Sequence, residues 1–212
     1  MKNYRLHLVR HGLTQANIDG IYVGGGLDVP LCEAGIKQLE EMAARYAYPA
    51  PATVFSSPMQ RALQTAELLF PTAQDRIVLE DLRENVFGEF EGRKVDELVK
   101  DPDFAKWLDP ESHFVPAGGE SGQAFAARTA GALRAMLEHM MRNGIAEAAC
   151  VTHGGVIMSM MSQMALPQKP PRDWMADNGA VSTVQANPSI LLLDGLVAAV
   201  AVLPPGYVGE YC

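Results

Sequence analysis

The sequence predicts an α/β fold, a three-layer α/β/α sandwich whose central sheet is mostly parallel with at least one antiparallel strand. Short apolar runs over residues 4–9, 53–55 and 148–152 each pass through a tight turn into a stretch of helical periodicity. Parallel neighbours need crossover connections, so strands that alternate with helices lie side by side in one direction, with helices on both faces. Near the C-terminus, Asp194-Gly195 divides the apolar run 190–203 into two short pieces. Asp-Gly supplies the positive φ angles of a two-residue turn, so this run is expected as a β-hairpin rather than a membrane span, and it contributes the antiparallel strand. At 212 residues the chain suits a single domain.

Residues 4–9 form the first strand, and Thr14 to Asn17 offers helix-starting residues after Gly12. Between Glu33 and Tyr46, apolar Ile36, Leu39, Met42 and Ala43 recur at helical spacing among Lys37, Glu40, Glu41 and Arg45, the pattern of an amphipathic helix. After the strand at 53–55, Ser57 is expected as N-cap and Pro58 as the first position of a helix reaching about Phe70. Residues 77–79 read as another short strand, and the Gly-rich, charged stretch 85–94 as an ordered surface loop of the kind that carries function. One or two short helices broken near Pro102 span 96–108, a turn falls at 116–119, and a long helix over 121–142 ends at Asn143-Gly144. The strand 148–152 leads through His153-Gly154-Gly155 into a helix over 156–164, and a strand over 180–185 completes the sheet with the hairpin. Gly24-Gly25-Gly26 is followed by Pro30 and no clear helix, so it reads as a flexible turn rather than a nucleotide loop.

Composition narrows the function classes. The formal charge of -8 repels phosphate-rich polymers and anionic membranes, so neither nucleic acid nor membrane is expected as a partner. Cys32, Cys150 and Cys212 are odd in number and widely spaced, matching neither a zinc knuckle nor a disulfide framework, and read as reduced thiols. The N-terminus, Met1-Lys2-Asn3-Tyr4-Arg5, has no apolar signal-peptide core, so a cytoplasmic location is expected.

In open α/β sheets, ligands bind beyond the carboxyl ends of the strands, where the following helices present free N–H groups and a positive dipole end. Three joins here carry suitable side chains: Arg10-His11-Gly12, Ser56-Ser57-Pro58 leading to Arg61, and His153-Gly154-Gly155. Two histidines and two arginines can therefore meet on one edge. A lone histidine is more often structural than catalytic, but two His-Gly joins at equivalent positions shift that balance. An arginine beside a histidine disfavours the imidazolium and keeps a ring nitrogen free to act as nucleophile. A metal cluster fits poorly, because a dication would meet the charge of Arg10 and Arg61 and no HExxH or Cys-rich spacing supplies ligands. Neither a metal nor a cofactor is expected.

The stretch Leu8-Val9-Arg10-His11-Gly12-Leu13-Thr14-Gln15-Ala16-Asn17 resembles the signature of the histidine phosphatase superfamily, in its phosphoglycerate mutase-like branch. Further blocks resemble the family in family order: Asp28-Val29-Pro30-Leu31 with Gly35, Ser56-Ser57-Pro58-Met59-Gln60-Arg61-Ala62 with Thr65-Ala66, Leu82 to Gly92, Gly118-Gly119-Glu120-Ser121 and Thr152-His153-Gly154-Gly155. The resemblance spans roughly residues 4–185 and implies a metal-independent phosphomonoester hydrolase working through phosphohistidine. Carried over at matching positions, it makes His11 the nucleophile, places Arg10, Arg61 and His153 around the phosphoryl oxygens, and makes Glu84 the general acid and base. Asn17 and the backbone amide of Gly154 become further phosphate contacts. The chemistry agrees, since phosphoryl transfer needs charge stabilisation on its equatorial oxygens and an in-line nucleophile. Read without the family, Glu84 is a surface or capping glutamate with Glu80, Asp81, Glu89 and Glu91 as rivals; the family position selects it.

Some positions depart from the pattern. Many relatives carry a basic residue just before the Gly that precedes Asp-x-Pro-Leu, where this chain has Tyr22-Val23-Gly24-Gly25-Gly26-Leu27-Asp28, a difference on the substrate-facing side. The aromatic before Glu-Gly, often Trp, is Phe90, a packing substitution. Phosphoglycerate mutases usually have Asn in place of Gly155 and a paired-arginine clamp in a longer insertion; residues 94–118 contain no arginine, which favours hydrolysis. A phosphate-binding regulatory protein without turnover is the other alternative, and the filled catalytic positions speak against it. The expected partner is a small phosphomonoester, and relatives of this size include α-ribazole phosphate phosphatases, sugar-phosphate phosphatases and broad-specificity enzymes. A lid or cap is expected around 94–120, where Trp107, His113, Phe114 and Glu120 form either an aromatic wall for a base or sugar or ordinary packing. His7, His139 and the methionines between 136 and 164 are expected to be structural, and a homodimer is expected because symmetric pairs are the commonest assembly.

Overall fold

The computed structural model describes residues 3–109 and 112–204. Its strands are β1 (Tyr4–Arg10), β2 (Thr53–Ser56), β3 (Asp75–Val78), β4 (Glu147–Thr152), β5 (Ala165–Leu166), β6 (Val181–Ala186) and β7 (Val197–Leu203). Its helices are α1 (Gln15–Ile18), α2 (Glu33–Arg45), α3 (Gln60–Leu69), α4 (Val95–Leu98), α5 (Pro102–Leu108), α6 (Gly122–Arg142), α7 (Gly154–Met164) and α8 (Pro188–Asp194). One sheet holds all the strands in the order β3-β2-β4-β1-β6-β7-β5. The run β3-β2-β4-β1 is parallel throughout, whereas β6 lies antiparallel to both β1 and β7.

The period-two alternation of strand side chains sorts the core into two halves. Leu6 and Leu8 of β1, Ala148 and Cys150 of β4, and Val184 of β6 face α6 and α7, packing with Leu133, Met136, Leu137, Ile157 and Met160. Val9, Val54, Ala149, Val151 and Val181 face the other way, against Leu39 of α2 and Ala62, Ala66 and Leu69 of α3. Helices thus cover both faces, as a parallel sheet requires. Met136, Met140, Met160, Met161 and Met164 are all core residues. His7 is structural too, its ring nitrogens 2.8 Å from Thr183 Oγ1 and 3.0 Å from Glu147 Oε1, and His139 stands edge-on to Phe55.

A third, smaller cluster sits beyond the sheet edge: Phe87, Phe90, Leu98 and Phe104 are buried, with Tyr22, Trp107 and Phe114 packed against them. It ties the loop that holds a 3₁₀ turn at Gly88–Phe90 to α4 and α5. Phe90 is fully buried there, as expected of a packing substitution.

Three local expectations need correction. The segment 190–203 is not a hairpin: Asn187 caps α8 by accepting from Ser189 N at 3.0 Å, Pro188 occupies its first turn, and Gly195 closes it with φ 69°. Asp194-Gly195 therefore stops a helix, for which a left-handed glycine serves as well as for a tight turn. Second, Ser57 does not cap α3. Met59 holds the N-cap position without a side-chain bond, and Asp28 Oδ1, from a distant loop, accepts from Gln60 N at 2.8 Å instead. Third, α7 begins at Gly154 with His153 at its N-cap, so the expected turn glycines belong to the helix itself. The expectation for Cys212 lies outside the described residues, while Cys32 and Cys150 are both free thiols.

Candidate active site

Because β2, β4 and β1 are adjacent and parallel, their carboxyl ends share one edge of the sheet. Backbone bonds extend the pairing past the strand ends: His11 N donates to Thr152 O and Ser57 N to Val151 O, each at 2.9 Å. The three joins are thereby held in fixed register. Arg10, His11, Asn17, Arg61, Glu84 and Gly154 line one cavity of about 810 Å³. His153 lies behind His11 rather than on the wall, fully buried, with the ring centroids 5.1 Å apart at 62°.

His11 Nδ1 stands 2.7 Å from the carbonyl oxygen of Gly12. A carbonyl only accepts, so Nδ1 carries the proton and Nε2 keeps its lone pair. Burial, reinforced by Arg61 and Arg10, holds the His11 pKa well below the ordinary histidine value and keeps the ring neutral. The Gly12 carbonyl is itself fixed: Asn178 Nδ2 donates to it at 3.3 Å and to His11 O at 2.8 Å. Gly12 N in turn donates to Thr65 Oγ1 at 3.0 Å, and that hydroxyl donates to Arg61 O at 2.6 Å. The nucleophile candidate and the arginine are thus linked through one threonine.

Glu84 follows the 3₁₀ turn Glu80–Leu82, which brings it across the end of β4. Its carboxylate accepts from Asn85 N and, through Oε2, from Gly155 N in the first turn of α7, both at 2.9 Å. Burial raises its pKa more than those two bonds and the nearby Arg61 and Arg10 lower it, so the neutral acid is favoured relative to an ordinary glutamate. A Cβ on Gly155 would come within 2.5 Å of Glu84 Oε1, so the glycine leaves the room this carboxyl occupies.

Arg61 is almost completely buried in the first turn of α3, donating to Leu27 O and Gly24 O at 3.1 Å. Its neighbours in the Gly24-Gly25-Gly26 stretch form a packed ledge, contrary to the expected flexible turn. A Cβ at Gly24 would meet Asn85 O at 2.3 Å and one at Gly25 would meet Glu84 O at 2.4 Å, so close backbone approach explains the glycines. Arg10 Nη1 donates to Ala176 O at 2.7 Å, and its guanidinium lies beside Gly154, where a Cβ would sit 3.3 Å from Nε. Asn17 completes a capping box with Thr14 through Oδ1, which turns its amide nitrogen to other partners. His153 Nε2 lies 2.8 Å from Ser57 Oγ, whereas its buried Nδ1 has no partner among the described residues, and burial together with His11, Arg61 and Arg10 keeps its ring neutral.

Sequence reasoning missed the frame that aims Glu84. Arg128 of α6 makes a bidentate pair with Glu120 at 2.7 Å and also donates to the carbonyls of Asp81, Arg83 and Glu84. Glu120, expected in a lid, is instead the partner of Arg128. No local spacing signals this pair, because Glu120 precedes the N-cap Ser121 and stands outside α6. Glu91, a rival acid by sequence, accepts from both Gly26 N and Phe87 N at 2.9 Å and so joins the glycine ledge to the loop after Glu84. Trp107 does reach the cavity wall, while Phe114 packs in the third cluster.

The family model described as histidine phosphatase superfamily (branch 1) matches residues 6–194. The chain belongs to that superfamily. It is 29% identical over 187 residues to an adenosylcobalamin/α-ribazole phosphatase of Escherichia coli, covering 86% of this chain and 90% of the relative. It is 32% identical over 186 residues to fructose-2,6-bisphosphatase TIGAR B of Danio rerio, covering 85% of this chain and 66% of that one. The crystal structure of the α-ribazole phosphatase from Shigella flexneri superposes with a TM-score of 0.75 at 26% identity, covering 98% and 100% of the two chains. This histidine phosphatase is accordingly a phosphomonoester hydrolase of phosphoglycerate mutase-like fold. Among its described residues, no helix is long and apolar enough to cross a membrane.

Proposed function

We propose that this histidine phosphatase hydrolyses a small phosphomonoester through a phosphoryl group carried on His11 Nε2, with Glu84 moving the proton in both half-reactions. The observation that carries the reading is the His11 Nδ1 to Gly12 O bond, which leaves the Nε2 lone pair on a neutral ring beside two guanidiniums. In the first step Nε2 attacks phosphorus, the P–N bond forms, the ester P–O bond breaks, and the departing alkoxide takes the proton of Glu84. In the second step water attacks phosphorus and gives its proton to the Glu84 carboxylate as the P–N bond breaks. Arg10 and Arg61 balance the charge on the equatorial oxygens, with the first amides of α7 at Gly154 and the Asn17 amide as further donors. His153, edge-on to His11 with ring centroids 5.1 Å apart and with no partner for Nδ1 among the described residues, is proposed to complete the phosphoryl site. No metal takes part in these steps.

Residues 94–120 act in this reading as a cap, with Trp107 and Leu108 on the cavity wall. The free thiols Cys32 and Cys150 support a reducing, cytoplasmic setting, and a homodimer completes the proposal, to be checked by light scattering. The test is hydrolysis of naphthyl phosphate with excess EDTA, comparing wild type with His11→Ala. Turnover that survives EDTA and vanishes in the variant supports the proposal; turnover that needs a metal or survives without His11 overturns it.

A further inference from the structure

Building on the phospho-His11 reading, we infer that the cavity selects monophosphate esters of uncharged alcohols with a flat apolar face and rejects leaving groups that carry a second negative charge. Among the described residues of the cavity wall, the cations are Arg10 and Arg61, both at the phosphate end with the neutral His11 and with Glu84. The remainder includes an aromatic side and a hydroxyl side, together with apolar side chains such as Val95, Phe125, Met158 and Met175. On the first, Tyr22 stacks on Phe87 with centroids 4.3 Å apart, and Trp107 meets both edge-on at 6.0 and 5.3 Å. Burial, with Glu84 and Glu91 nearby, raises the Tyr22 pKa, so its phenol remains a neutral group. On the other side, Ser159, Ser162 and Gln163 line the wall. Gln163 Nε2 is committed to Ala126 O, Ser159 O and Ser159 Oγ, so this side presents neutral hydrogen-bonding atoms and no cation.

Lys94 and Arg172 flank the lining residues Val95 and Pro171 without themselves lining the wall, and three other basic side chains nearby are held in ion pairs. Arg93 pairs with Asp101 at 2.9 Å, Lys106 with Asp103 at 2.8 Å, and Arg128 with Glu120 at 2.7 Å. A carboxylate or second phosphate on the leaving group would lose its hydration against apolar rings, and among the described residues the wall holds no cation beyond the two arginines that the transferred phosphoryl group occupies. Burying an uncompensated charge is penalised far more than burying a neutral hydroxyl that finds a partner. A planar neutral group gains stacking area on the aromatic side instead.

The test compares kcat/KM for phenyl phosphate, naphthyl phosphate and para-carboxyphenyl phosphate. Wild type is expected to prefer phenyl over para-carboxyphenyl phosphate by about a hundredfold, with naphthyl higher still. Ser162→Lys, which places a cation on the hydroxyl side, is expected to narrow the phenyl to carboxyphenyl ratio by about tenfold. The matching phosphonates, as competitive inhibitors, should show the same order in binding, which separates ground-state exclusion from leaving-group chemistry. Equal or better use of the carboxylated ester by wild type, with turnover still dependent on His11, overturns the inference and spares the phospho-His11 mechanism. Turnover independent of His11 overturns the mechanism and, with it, the inference.

Discussion

At the phosphate end of the cavity, Arg10, His11 and Gly154 lie within two residues of a strand end and Arg61 in the first turn of the next helix, so the sheet itself sets their positions. At the leaving-group end the wall is collected from separate segments: Tyr22 from a loop, Phe87 from a second loop, Trp107 from α5, Ser159 and Gln163 from α7. The first end is rigid, charged and hydrogen-bonded through backbone ladders; the second is aromatic and uncharged, held by ring packing and by a few ion pairs. A fold of this kind can therefore keep one reaction while its leaving-group wall varies, because the two ends share few supports. Glu84 is the exception, since it belongs to the chemistry yet sits in a loop, held by Arg128 of α6 and Gly155 of α7.

The sharpest way to break the distinction is at Glu84. Glu84→Gln keeps a hydrogen-bonding side chain and removes the transferable proton, so kcat for an alkyl phosphate should fall about a thousandfold with little change in thermal midpoint. A fall of less than tenfold would take Glu84 out of the proton transfer. Gly155→Ala comes next: the added methyl must displace the Glu84 carboxyl from 2.5 Å, and kcat should fall by about a hundredfold, measured alongside KM to show that binding of the phosphate is less affected. Arg128→Gln removes the pair with Glu120 and loosens three carbonyls around Glu84. We expect about a tenfold loss in kcat and a displaced alkaline limb of the pH profile, partly restored in Arg128→Lys; a purely structural role would lower stability without moving that limb.

The smallest effect concerns stability. His11 and His153 are buried neutral with lowered pKa values, so the unfolded chain binds more protons than the folded one once pH drops below the ordinary histidine value of 6.5. Folding should weaken by up to about 1.4 kcal/mol per histidine per pH unit below that point, until the folded pKa is reached. Glu84 works in the opposite sense: its raised pKa makes the folded chain the better proton acceptor above 4.5, which offsets part of the loss. Thermal midpoints at about pH 7.5 and pH 5.5 should differ in favour of the higher pH, and a flat profile would mean that the two rings are not neutral when buried.

The same contrast governs what could be read in the sequence. Arg10-His11-Gly12 and His153-Gly154-Gly155 are contiguous strings at strand ends, so alternation and turn chemistry were enough to bring them together. The leaving-group wall joins residues from 22 to 163, and no local pattern links Tyr22 to Trp107 or Arg128 to the carbonyl of Glu84. Asp194-Gly195 misled because a left-handed glycine ends a helix as readily as it makes a hairpin, and Asn187-Pro188 was the signal that decided for the helix. The neighbourhood of Ser57 suggests a cap, whereas its hydroxyl serves His153, almost a hundred residues away. The Gly24-Gly25-Gly26 stretch looked flexible since nothing local shows that Asn85 and Glu84 press against its backbone.

The most direct measurement is to quench turnover of a radiolabelled phosphomonoester within its first cycle and map the covalently held phosphate by peptide mass spectrometry, in wild type and in His11→Ala. An acid-labile, alkali-stable phosphoryl group on the peptide that contains His11, absent from the variant, is the predicted result. Label on another residue, or steady turnover with no protein-bound phosphate in either protein, would contradict the phospho-His11 mechanism.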